Sequence, residues 1–310
     1  MKFVELEYSK RYIENLGGEK VEQMLRPVYQ ERASLPETLS VLLIGNQRED
    51  DPITDTFDEI LFIITSNNEI PIQTKHYTDG RRKAAMHIIS ERQLTHWLLV
   101  GTNKKIIDWL ILGKVFFDRD EYVERLKERL SEEPLFGRDI KMGMEMAKII
   151  RAYNEGKIHF ERKQYMDSYL YAIKTLHHLA RFVAVKRNVL PENTVWAQMK
   201  KIDPAVFKLY EELIGSEEEL GKRLDLVFLA SEFFIHNYTN EAAAHLLTIM
   251  GKKESWTVQQ LHEQDELALY SSDLEFFIEY LADKHLIEIT QVPSKNDLLF
   301  HREYRIIRAR

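Results

Sequence analysis

Cysteine is absent from all 310 positions, so no disulfide, thiolate nucleophile or cysteine-ligated zinc site can be built from this chain. There is no HExxH pair either, which removes the commonest route to a histidine zinc centre. No apolar run approaches the roughly 18 residues that a membrane-spanning helix needs. The opening MKFVELEYSKRY also carries charges where a secretion signal has its apolar stretch. The expectation is a cytoplasmic protein with no membrane partner. Positive charge is in deficit as well, with 43 Lys and Arg against 50 Asp and Glu and a net charge of −7. A surface of that sign does not coat nucleic acid, because phosphate binding rests on Lys and Arg, and any such contact must be local. Low-complexity segments and internal repeats are missing too.

What is present is a globular composition, 44% hydrophobic and 30% charged, on a chain long enough for two or three cores. The organising stretch is LSVLLIGNQREDDPITDTFDEILFIIT, from Leu39 to Thr65. It reads as a buried strand from Val41 to Ile44, a turn at Gly45, an acidic loop and a second buried strand from Glu59 to Ile64. Lys20 to Arg32 reads as a helix interrupted at Pro27. Further strands are expected over 70–77 and 83–90, joined through the turn signal Asp79-Gly80. Helices are expected over 92–99 and 104–112, and a short return strand over 113–118. Alternating strands and helices of this kind make a small sheet domain over roughly the first 120 residues.

An apolar strand ending in glycine, followed about a dozen residues later by an acid entering another apolar strand, resembles the core of the nucleotidyltransferase fold. The resemblance implies a phosphate-binding turn at Gly45 and Asn46, with Asp58 as catalytic carboxylate. Asp55 and Asp58 are then the expected ligands of Mg²⁺. The pattern departs from the family at two points: Asn46 stands where Gly or Ser is usual, and the alternating second carboxylate falls on Ile60. Side chains of one strand share a face only at alternate positions, so no register supplies the full pair. Lys75 and His76 are candidates to meet nucleotide phosphate, and Arg81, Arg82 and Lys83 read as a solvated turn with the same capacity. His87, in an apolar strand, reads as a core histidine.

The run KHYTDGRRKAAMHIISERQLTHWLLVGTNKKIIDWLILGKVFFDRDEY, with PITDTFDEILFIIT before it, is similar to nucleotidyltransferase-like proteins of the YgxA type from Bacillus-like bacteria. That likeness covers nearly the whole chain. It implies a multidomain α+β protein: a nucleotidyltransferase-like sheet domain over 1–135, an α-helical bundle over 136–251, and a small winged helix-turn-helix over 252–310.

From Lys141 to Met250 apolar residues recur three and four apart, as in Tyr169, Ile173, Leu176, Ala180 and Val183, the pattern of an antiparallel bundle. Such a bundle resembles the substrate-binding domain of kanamycin-type nucleotidyltransferases. His177 and Arg181, one helical turn apart, are its candidates for holding a polar or phosphorylated substrate. The competing reading pairs Arg181 with a glutamate and packs a histidine in the bundle. Within the bundle no arginine is followed four to six residues later by histidine, which removes from it the ribonuclease signature of related helical proteins.

The segment 252–310 reads as helices followed by a two-strand hairpin. A DNA reader of this type needs a basic helix and a basic wing. Here the helix from Asp273 to Lys284 carries Asp273, Glu275, Glu279 and Asp283, so DNA contact is expected from Lys295, Arg302 and Arg305 of the wing. Two functions stay open: transfer of a nucleoside monophosphate from NTP with Mg²⁺ to an acceptor, and noncatalytic binding of nucleotide or nucleic acid.

Overall fold

Between Thr38 and Thr65 nearly every strand side chain is apolar, and the sheet built on them is covered on both faces. The computed structural model describes residues 18–45, 53–100, 104–132, 137–192, 194–293 and 299–307. Strands β1 (Thr38–Gly45) and β2 (Glu59–Thr65) pair antiparallel, with Leu42 opposite Phe62 and Gly45 opposite Glu59. With β3 (Gln73–Thr78), β4 (Lys83–Ser90) and β5 (Lys114–Asp118) they form a sheet of order β3-β4-β2-β1-β5. The β2–β4 pairing is parallel and the others are antiparallel. Every residue of β2 is buried, as a central strand requires when both faces are packed.

One face sets Val41, Leu43, Leu61, Ile63 and Met86 against Leu25 of helix α1 (Gly18–Ala33). The expected break at Pro27 does not occur, and the proline lies inside one continuous helix. A proline removes a single backbone donor, and the burial of Leu25 with Val28 and Tyr29 alongside it holds the helix across that gap. The other face sets Phe62 and His87 against Trp109 of α3 (Lys104–Leu112), with ring centroids 5.3 and 5.4 Å apart. Helix α2 (Glu91–Val100) buries Leu94 and Leu98, and α4 (Tyr122–Glu132) follows β5. The β3–β4 turn forms as the Asp79-Gly80 signal predicts. The Asp79 carboxylate accepts the amides of Arg81 and Arg82, each at 2.8 Å, which holds its pKa below the ordinary carboxylate value, while Gly80 takes φ +88°.

Contacts divide the chain into two units, residues 1–98 with 102–133, and residues 99–101 with 134–310. In the second, α5 (Arg138–Glu161) and α6 (Tyr165–Lys186) form an antiparallel pair, reversing at Lys163, whose φ is +59°. Helices α7 (Val195–Ile202) and α8 (Pro204–Gly215) follow. Asp203 caps α8 by accepting the Val206 amide, and Pro204 stands at its start, where a missing donor costs nothing. Helix α9 (Leu220–Met250) then serves two clusters. Its early residues Leu224, Val227 and Phe228 pack with Ala172 and Leu176, and its late residues Leu246 and Ile249 with Trp256, Phe277, Ile287 and Tyr304.

Bundle and C-terminal segment therefore share a core. The latter comprises α10 (Val258–His262), α11 (Asp273–Asp283) and the hairpin of β6 (Ile287–Pro293) and β7 (Phe300–Ile306), with Trp256 bridged to Tyr304 in the manner of a winged helix. The close fit shows at Gly143 of α5, where an added Cβ would lie 2.0 Å from the Tyr270 hydroxyl. No helix among the described residues is long and apolar enough to cross a membrane.

Candidate functional site

The sheet brings Gly45 and Asp58 to the same end. Gly45 is the last residue of β1 and faces Glu59 across the ladder, so Asp58 stands one residue outside it. Gly45 itself is still part of the strand, as the last paired residue of β1. Its φ is not in the left-handed region, and a Cβ added there would meet nothing within 4 Å, so the space above it is open. Asn46 and the acids Glu49, Asp50 and Asp51 lie outside the described residues.

Where the chain returns at Ile53 it is fixed by several bonds. Trp109 Nε1 donates to the Ile53 carbonyl at 2.7 Å, and Thr54 closes a turn on Phe57 through its hydroxyl and carbonyl. Asp55, at φ +55° in that turn, is ion-paired with Lys105 of α3. Asp58 is clamped to the start of β4: its amide donates to the Lys83 carbonyl at 2.9 Å, and its Oδ2 accepts the Lys83 amide at 2.8 Å. The carboxylate is nonetheless exposed, and no second bond to it is made among the described residues.

His76 and Lys75 part company. On β3, His76 pairs with Ala85 and Lys75 with Met86, so His76 lies on the α3 face and Lys75 on the α1 face. His76 packs 4.7 Å from Phe57, and the neighbouring His87 stacks on Trp109 and shares a hydrogen bond of 3.1 Å with Thr74. Burial lowers the His87 pKa and the nearby His76 lowers it further, against a smaller opposite pull from Asp55. The α3 face thus gathers Asp55, Phe57, His76 and His87, while Lys75 is on the other side.

In the bundle, His177 and Arg181 sit on α6 as the spacing predicts, but Arg181 is buried and already engaged. Its Nε donates to Glu145 Oε1 at 2.9 Å, and His178 Nδ1 lies 2.8 Å from Oε2. Burial pushes the Glu145 pKa up, yet the His178 hydrogen bond and the charges of Arg181 and Lys148 bring it down to about 2. Lys141, buried one turn earlier on α5, is lowered to about 8 by burial and then by Arg181. His177 is also lowered, first by burial and then by His178 and Arg181. Glu145 is the residue the sequence reading missed. The available signal is a lone acid inside the methionine run MGMEM, an apolar stretch that admits a carboxylate only with partners.

At the C-terminal hairpin, Arg302 donates to Glu279 at 2.8 Å and Arg305 to Glu288 at 3.0 Å. Arg151 of α5 pairs with Asp273 at 3.0 Å and stacks on Phe276, 5.0 Å from its ring centre. Two of the four acids of α11, Asp273 and Glu279, are thereby bound to arginines of the same unit. Lys295 lies outside the described residues.

Residues 21–138 match the nucleotidyltransferase-like family, 139–238 the YgxA-like substrate binding domain, and 244–306 a helix-turn-helix domain. The chain is 42% identical over 284 residues to the protein YgxA of Bacillus subtilis (strain 168), spanning 92% of this chain and 97% of that one. A crystal structure of a nucleotidyltransferase-like protein from Exiguobacterium sibiricum 255-15 superposes with a TM-score of 0.84 at 30% identity, covering 93% of this chain and 99% of the other.

Proposed function

The chain belongs to the YgxA-like family of nucleotidyltransferase-like proteins, and from that premise we propose that it binds a nucleoside triphosphate at the Gly45 end of its sheet and transfers the nucleotidyl group to an acceptor. The observation that carries the reading is the register that sets Gly45 opposite Glu59, with the exposed Asp58 carboxylate just beyond it. Open space at Gly45 admits a phosphate close to the backbone. Asp58 is oriented by the Lys83 amide, the kind of supporting bond that fixes a metal-ligating carboxylate.

Among the described residues no three carboxylates or histidines gather into a metal site, and Asp55 is shared with Lys105. That donor set fits a Mg²⁺ ion arriving with the triphosphate, because magnesium is commonly held by one or two carboxylates together with substrate phosphates. When bound, the ion would neutralise phosphate charge in the displacement. Asp58 would be its protein ligand, with Asp55 second. His76 is the group on the α3 face able to meet phosphate or base; Lys75 would need a ligand that wraps the edge strand. In the bundle, Arg181 acts through Glu145 as a positioning residue, and His177 stays the candidate for direct contact with acceptor.

The test is calorimetric titration of the four nucleoside triphosphates with and without Mg²⁺, for the wild-type chain and Asp58→Asn. Binding that strengthens with Mg²⁺ and loses that gain in the variant supports the reading. Binding indifferent to both sinks it.

A further inference from the structure

A groove of about 430 Å³ lies within the second unit where α5, α9 and α11 meet. Its apolar surface comes from Ile150, Leu229, Phe233 and Tyr280, and its charges from Glu232 of α9 and Lys284 at the end of α11. Phe233 is 70% exposed and Leu229 66%, high values for large apolar side chains. The two charges have opposite sign, yet among the described residues neither has an ion-pair partner. Glu232 accepts one hydrogen bond, from the Tyr153 hydroxyl at 3.2 Å, and Lys284 Nζ lies 5.4 Å from the centre of the Tyr280 ring. His236 completes the rim. The volume falls in the range of small-molecule sites, which are mostly apolar with a few polar groups that fix orientation.

We infer that this groove binds a small zwitterion with an apolar body, of the α-amino-acid type. Its ammonium pairs with Glu232, its carboxylate with Lys284, and its side chain lies on Phe233, Leu229 and Tyr280. Charge complementarity carries the assignment. A purely cationic or purely anionic ligand would leave one of the two groups unanswered, and a neutral apolar one both. The consequence is regulatory, because the groove joins the bundle to α11, the helix that stands where a helix-turn-helix has its recognition helix. Tyr280 is further tied to α9 through a 3.3 Å contact with Thr239. An occupant bridging Glu232 and Lys284 fastens α11 to α9 and reports its presence to the winged segment.

The site uses no residue of the sheet, so its test is independent of nucleotide. Calorimetry on the full chain would compare L-leucine, L-phenylalanine and L-tryptophan with 2-phenylethylamine, which lacks the carboxylate, and 3-phenylpropionate, which lacks the ammonium. At least one amino acid should bind about tenfold or more tightly than either analogue, since each lost charge-assisted pair weakens binding by roughly that factor. Glu232→Gln should weaken the amino acid and the amine and spare the acid, whereas Lys284→Met should weaken the amino acid and the acid and spare the amine. Both residues are exposed, so unchanged thermal melting is expected and verifies folding. Hydrogen exchange across 273–284 should slow on binding. No binding by any of the three amino acids at about 10 mM, where even a weak site of millimolar affinity fills, overturns the assignment. So does binding that neither substitution alters.

Discussion

Asp58 and Lys83 are joined twice across the sheet end, amide to carbonyl at 2.9 Å and amide to carboxylate at 2.8 Å. One carboxylate is thereby assigned two duties, closing the start of the β2–β4 pairing and, exposed at the sheet end where β1 finishes at Gly45, meeting the proposed Mg²⁺. The duties separate by substitution. Asp58→Ala removes the acceptor and should cost about 0.5–1.5 kcal/mol of stability, whereas Asp58→Asn keeps an acceptor oxygen and should melt like the wild type. Both should lose Mg²⁺-strengthened triphosphate binding. If Asn retains that binding and Ala loses it, the residue is structural only.

Arg181 and Glu145 give a prediction about the bundle. Arg181→Met leaves the buried carboxylate with His178 as its nearest partner, and breaking a buried pair in this way costs about 3–5 kcal/mol. Replacing both residues, as Glu145→Met with Arg181→Met, should recover most of that loss, since well-packed apolar pairs often match a buried ion pair. Urea unfolding of the single and double variants measures it. A double variant no more stable than Arg181→Met would show that Glu145 holds more than this pair.

The same carboxylate sets an acid limit. Glu145 is held at about 2 in the folded chain against an ordinary 4.5, so the unfolded chain binds the extra proton between those values. Stability from this group is present above about pH 4.5 and lost as pH falls towards 2, amounting to about 3 kcal/mol over the window. Glu145→Gln should flatten that acid limb in urea unfolding followed from pH 5 to pH 2.5. An unchanged limb would assign it to other carboxylates.

Much of the first unit was legible because its signals are local. The apolar runs of β1 and β2, the Asp79-Gly80 turn and the alternation of strand and helix each lie within a few residues. Pro27 misled because burial of Leu25, decided by a sheet that follows it in sequence, outweighs one missing donor. The candidate sites were less legible because their decisive partners are distant. Helical spacing places His177 and Arg181 on α6, but nothing near Arg181 announces Glu145, 36 residues earlier. Lys75 and His76 are adjacent in sequence and on opposite faces in the sheet, a separation that follows from strand alternation once the strand is known.

The wing offers the last test. Arg302 and Arg305 are the cations expected to meet DNA, but each is held by a glutamate, Glu279 on α11 and Glu288 on β6. Both pairs are exposed and hence weak, so a duplex phosphate can compete for them where salt is low. Phosphate contact carries little sequence information, and discrimination between duplexes should therefore be slight. Glu279→Gln frees Arg302 and removes a repelling charge, and should tighten duplex binding, with a log–log salt slope steeper by about 0.9 for one added phosphate contact. Arg302→Ala with Arg305→Ala should weaken binding and flatten the slope. Because α9, Trp256 and Tyr304 share a core, the measurement belongs on the full chain, by fluorescence anisotropy with a labelled duplex. If the chain binds no duplex at about 20 mM salt, where screening is minimal, and Glu279→Gln does not restore binding, the acidic α11 makes this segment a surface for protein contact.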